Sequence, residues 1–160
     1  MIQAITETNL TAYVQTLDNK ISTLADSHIR YLWKFTNKTS KRVHYHYAAT
    51  QELKDRFSKF DFSYNATRSI YDGRINLKPS GHYTYEIYEV AWVGTVHVAV
   101  NFAPANEDDV LFPPSDDKGI VQGLVTKGIM YVADRDGTEQ VQYTQHPEPS
   151  GTNYIYYGQE

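Results

Sequence analysis

Apolar and polar residues alternate along much of this chain. Ile29, Tyr31, Trp33 and Phe35 take every second position, as do Val43, Tyr45 and Tyr47, and again Tyr83, Tyr85 and Ile87. A period of two means extended chain with one face buried. His28–Thr36 and Arg42–Ala48 form two such runs around the polar stretch Asn37-Lys38-Thr39-Ser40-Lys41, which reads as an antiparallel hairpin. The side opposite the aromatics, carrying Arg30, Lys34, Arg42, His44 and His46, is expected to face solvent.

The pattern predicts further strands. Phe57–Tyr64 alternates, with Phe60, Phe62 and Tyr64 on one face, and Gln51–Arg56 before it suits one helical turn. Tyr71-Asp72-Gly73-Arg74 is a turn, Arg74–Leu77 a short strand, Pro79-Ser80-Gly81 a second turn, and His82–Val90 a long strand. Val93–Phe102 alternates through Val96, Val98 and Val100 and is expected to be a strand. Ile120–Val125 and Gly128–Ala133 flank Thr126-Lys127 and are expected to form a tight hairpin. Gln140–Thr144 is expected to be a last core strand, after a turn at Asp134-Arg135-Asp136-Gly137.

Residues 10–28 carry two signals. Leu10, Val14, Leu17, Ile21 and Leu24 make a helical stripe, whereas Thr11, Val14, Thr16, Ile21 and Thr23 are β-branched and Leu17-Asp18-Asn19-Lys20 suits a turn. The adopted reading is strand–turn–strand. Two segments stand apart in composition. Residues 103–118 hold Pro104, Pro113 and Pro114 among the acids Glu107, Asp108, Asp109, Asp116 and Asp117. Residues 146–160 hold Pro147, Pro149 and the cluster Tyr154-Ile155-Tyr156-Tyr157. A long loop and an aromatic tail are natural contact elements, so the candidate protein-interface residues are Pro104, Phe112, Pro113, Pro114, Tyr154, Ile155, Tyr156 and Tyr157.

Composition narrows the class. With 160 residues, 41% hydrophobic and 21% charged, the chain suits one folded domain, taken as residues 1–145 with 146–160 as a tail. The expected fold is all-β, an antiparallel β-sandwich of about eight to ten strands with room for one short helix. A net charge of −4 argues against a dedicated nucleic-acid binder. The 14 tyrosines and absence of cysteine place the chain's investment in sheet faces and exclude disulfides and thiolate metal sites. No stretch approaches the roughly 18 apolar residues of a membrane span, and MIQAITETNL lacks the features of a signal peptide. Asn37-Lys38-Thr39 and Asn65-Ala66-Thr67 match the glycosylation pattern and read more simply as turns.

Candidate chemistry is thin. His44 and His46 share one strand face, and His82 or His97 could approach them, yet a metal site needs a third ligand that no spacing supplies. A solvated polar face is the simpler reading. Glu86 and Glu89 flank tyrosines but point to opposite faces, so they do not make a hydrolytic carboxylate pair; they read as strand charges balancing Lys and Arg. The acids of residues 107–117 lack the EF-hand spacing. Arg30-Tyr31-Leu32-Trp33-Lys34 interleaves bases with rings, but alternation sends them to opposite sides. No nucleophile elbow, phosphate loop, dinucleotide fingerprint or zinc-protease motif is present. A Ser-His-Asp triad assembles only in space and is left as a remote reading.

Four segments in order carry a resemblance: Tyr13-Val14-Gln15-Thr16-Leu17-Asp18-Asn19-Lys20-Ile21; Arg30-Tyr31-Leu32-Trp33-Lys34-Phe35-Thr36-Asn37; Ile75-Asn76-Leu77-Lys78-Pro79-Ser80-Gly81-His82-Tyr83-Thr84-Tyr85-Glu86-Ile87-Tyr88-Glu89; and Gly123-Leu124-Val125-Thr126-Lys127-Gly128-Ile129-Met130-Tyr131-Val132. Together they resemble a family of small virion structural proteins of tailed bacteriophages, common in marine and gut phages. The resemblance implies a non-enzymatic accessory protein of the head or neck, such as a decoration, auxiliary or collar protein, or else of the tail. It implies a virion location after assembly in the host cytoplasm, and other virion proteins (capsid, portal, neck or tail) as partners. It implies homo-oligomerisation in the particle, no cofactor, no direct nucleic-acid contact and no membrane. A carbohydrate-binding module for host-surface glycan is the alternative from another class, and a hydrolase of unknown type a more distant one.

Overall fold

The computed structural model describes residues 1–136. They fold as an all-β sandwich of nine strands: β1 (Ile2–Ile5), β2 (Leu10–Val14), β3 (Ile29–Asn37), β4 (Val43–Tyr47), β5 (Thr50–Leu53), β6 (Ser58–Tyr64), β7 (Arg74–Ile75), β8 (Gly81–Ala91) and β9 (Ile120–Ala133). One sheet runs β1-β9-β8-β3-β4; the other runs β2-β6-β5, with β7 pairing β6. Pairing is antiparallel except for β1 with β9 and β6 with β7. The expected strand Gln140–Thr144 and the tail 146–160 lie outside the described residues.

The core is aromatic. Ile29, Tyr31, Trp33 and Phe35 of β3 and Tyr83, Tyr85 and Ile87 of β8 face Phe60 and Phe62 of β6 across the sandwich. Trp33 sits at the centre, its ring 5.6 Å from Phe35, 5.2 Å from Phe60, 5.4 Å from Phe62 and 5.5 Å from Tyr85. The contacts from Phe60 and Phe62 are edge-on, the geometry that ring quadrupoles favour. Burying each such side chain stabilises the fold by about 1.5–3 kcal/mol. The alternation in β3 and β8 is therefore the pattern of a core face, as the sequence predicts.

The opposite face of the five-stranded sheet is covered as well. Leu32, Tyr47, Val90, Trp92 and Ala103 are buried there, with Tyr88, Val96, Val98 and Val121 packed against them. The cover is not a third sheet. Val93–Phe102, expected as a strand, crosses this face without pairing. Val96 and Val98 do turn inward, but Ala99 accepts hydrogen bonds from Phe102 and Ala103 and curls the chain into a turn. Side-chain alternation without an adjacent edge makes no ladder.

Four other expectations are corrected. Gln51–Arg56 is not helical: residues 50–53 form β5, held by β6 and by the Gln51 amide donating to the Ile29 carbonyl at 2.9 Å. Residues 120–133 are one continuous strand rather than a hairpin: β8 pairs with it from Ile120 to Val132, and two register shifts absorb the extra residues. Residues 10–28 give β2 and a 3₁₀ turn at Leu17–Asn19, but no second strand. The backbone N–H groups of Ile21 and Ser22 bind the Glu89 carboxylate instead of a neighbouring strand.

The fourth correction concerns β4. Register sets His46 opposite Trp33 and His44 opposite Phe35, with Tyr45 opposite Lys34 and Tyr47 opposite Leu32. Directly opposed residues share a face. The histidines of β4 therefore lie on the aromatic core side, and its tyrosines on the other. His46 is 1% exposed, its ring 6.0 Å from Phe35. It does not lie on a solvated face with Arg30 and Lys34.

Candidate interaction surface

The segment after β8 is tied down at named points. Trp92 Nε1 donates to the Phe102 carbonyl at 3.2 Å, and Gly119 N donates to the same oxygen at 2.8 Å, closing the loop at its base. Gly94 N donates to the Asp116 carbonyl at 2.8 Å, bracing the two limbs. Tyr47 Oη donates to the Pro104 carbonyl at 2.7 Å. The ammonium of Lys34 reaches Glu107 at 2.7 Å and Glu86 at 3.5 Å. Its hydrogen bond to Glu107 holds the Lys34 ammonium well above the usual lysine range. Burial pushes the Glu107 carboxyl up, but the hydrogen bonds from Lys34 and Tyr45 together with the Lys34 charge outweigh it and leave the carboxyl below its ordinary value.

This bracing leaves the second half of the loop standing off the sheet. Between residues 107–115 and the first residues of β9 lies a groove of about 390 Å³, lined by Val110, Leu111, Phe112, Pro114, Ile120 and Val121. Its rim holds Glu107, Asp108, Asp109 and Lys118. Phe112 is 77% exposed, and Val110 and Ile120 are more than half exposed. Large apolar side chains gathered around a groove mark an interaction site more often than isolated ones do.

The predicted interface residues divide. Phe112, Pro113 and Pro114 are exposed beside the groove, whereas Pro104 is buried, its carbonyl bound by Tyr47. Tyr154, Ile155, Tyr156 and Tyr157 lie outside the described residues. Sequence reasoning missed Val110 and Ile120. The run Val110-Leu111-Phe112 between acids and prolines was a signal for the first. Ile120 joins only because the fold returns β9 to the loop.

The other candidates do not converge. His44 and His46 share a side of β4, but among the described residues no group of three or more His, Asp or Glu side chains is placed to hold a metal. Burial pushes the His46 ring down to about 4, and burial with Arg68 and Arg42 does the same to His44. Glu86 is the strand charge expected of it, paired with Lys34. Glu89 is not: it is fully buried, and its carboxylate accepts from Ser22 N at 2.8 Å and Ile21 N at 3.2 Å. A polar recess of about 670 Å³ between Glu7, Arg42, Arg68, Lys78 and Asp136 mixes both signs, and its Glu7 pairs with Lys78 and Arg135. Among the described residues no helix is long and apolar enough to cross a membrane. Compared with protein-family models, curated proteins and solved structures, the chain gives no match.

Proposed function

We propose that this chain is a non-enzymatic structural component of a tailed-phage virion, an accessory protein of the head or neck that binds other virion proteins. The groove beside Phe112 carries this reading, because it joins exposed apolar side chains to a loop held by the fold. Such a surface suits a permanent protein contact, where an aromatic ring in a pocket supplies much of the affinity. The placement of the rings supports the same reading. Trp33 and Trp92 are 0% exposed, the first buried between the two sheets and the second on the opposite face beneath the segment after β8. A glycan platform needs exposed rings in one plane; the exposed pair Tyr13 and Phe57 meets edge-on, at 69°.

The test is a mass-spectrometric inventory of purified particles from the phage that encodes the chain. The reading expects the protein in the particle at a fixed ratio to the other structural proteins. Expression in infected cells with none in particles would refute it.

A further inference from the structure

Strand β9 is longer than its cover. It pairs with β8 from Ile120 to Val132, with register shifts at Gln122 and Val125, but on the other side β1 covers only Met130–Ala133. Among the described residues, Ile120–Ile129 has no partner strand on that side. Among the described residues, Asn19 Nδ2 donates to the Val125 carbonyl at 2.9 Å and the Ile21 side chain lies beside Gly123. At about 3.3 Å per residue the open stretch runs for about 30 Å. Exposed edges are commonly guarded by charge. This one carries a single charged residue, Lys127, among the exposed apolar Ile120, Leu124 and Ile129.

We propose that this edge pairs antiparallel with the same edge of a second copy, joining two five-stranded sheets into one across a two-fold axis. The surface is self-complementary. Antiparallel pairing lays the Ile120 end of one copy beside the Ile129 end of the other, with matching faces together. The Ile120 end offers the acids Glu107, Asp108 and Asp109 and the apolar Val110 and Phe112. The Ile129 end offers Lys127 and, just before Ile2 of neighbouring β1, the exposed Met1. Lys127 stands opposite Glu86, which shares Lys34 with Glu107, so cation and acids lie on the same face of the sheet. Opposite charges and apolar groups therefore meet at both ends of the joint.

The centre is compatible too. The midpoint of the open stretch falls at Leu124 and Val125, both uncharged. The two copies of Lys127 then stand about 17 Å apart, beyond the screening length of about 8–10 Å. The edge alone, about 30 Å by about 10 Å, falls short of the roughly 800 Å² per partner of a stable interface. The loop and groove at each end supply the remaining area. Asn19, an exposed side chain, yields its bond at Val125 to the incoming backbone.

This inference shares Val110 and Phe112 with the virion reading but turns on Lys127 and the β9 edge, and its test uses the isolated full-length protein, so either can fail without the other. Sedimentation over a concentration series should show a monomer–dimer equilibrium, with exchange protection of the 120–129 amides rising with dimer. Lys127→Glu sets like charges against the partner's acids and should weaken the dimer at least tenfold. Adding Asp108→Lys should restore it, which a folding defect would not. A monomer up to about 100 μM, or a dimer indifferent to Lys127→Glu, overturns the proposal. So does concentration-independent protection of those amides, which would assign the edge to the chain's own residues.

Discussion

Tyr47 Oη donates a 2.7 Å hydrogen bond to the Pro104 carbonyl, fastening the long loop to edge strand β4 across 57 residues of chain. Burial pushes the Tyr47 phenol up, so it stays a donor at any physiological pH. Tyr47→Phe keeps the ring but leaves a buried carbonyl without its donor. The expected cost is about 1–2 kcal/mol in urea unfolding. Proteolytic nicking within residues 103–118 should quicken in the folded protein, and an unchanged nicking rate would show that other bonds suffice.

His46 predicts an acid-sensitive fold. Its Nδ1 lies 3.0 Å from the Ser69 carbonyl and carries the proton there, while Nε2 is buried without a partner. Charging the ring would place a proton in an apolar site that also faces His44, Arg68 and, beyond it, Arg42. Burial lowers the ring from 6.5 to about 4, so the unfolded chain binds the proton first as pH falls. Stability is complete above about pH 6.5, declines through that window, and has lost about 3 kcal/mol near pH 4. Urea midpoints against pH should show this limb, and His46→Gln should make it shallower, leaving the part that half-buried His44 contributes.

Glu89 holds the crossing between the sheets. Its buried carboxylate is the acceptor for Ile21 N and Ser22 N. Glu89→Ala strands both donors and should cost about 2–3 kcal/mol. Amides of residues 20–25 should lose exchange protection more than those of β3. Equal loss in both would mean that Glu89 supports the whole sheet rather than this crossing.

The strands β3 and β8 were legible because one face of each is buried against rings, and a period of two records that directly. β4 was legible as a strand but not in its facing, since parity depends on how the 38–42 connection sets register, and both of its faces carry rings. β9 departs from the expected hairpin at Thr126-Lys127, just before Gly128. Tyr85 lies across it, and a Cβ there would stand 2.5 Å from the Tyr85 hydroxyl. That glycine makes room for a cross-strand ring instead of turning the chain. For the surface, Phe112, Pro113 and Pro114 stood out by composition. The opposite wall at Ile120 and Val121 comes from a strand that only the folded sheet brings alongside.

Occupancy of purified particles by a Phe112→Asp, Val110→Asp variant, against wild type, tests most directly whether the exposed groove attaches this protein to a virion. Both side chains are largely exposed, so the variant should keep the wild-type fold and unfolding midpoint. Its copy number per particle should fall at least tenfold. Full occupancy by this folded variant would contradict the account.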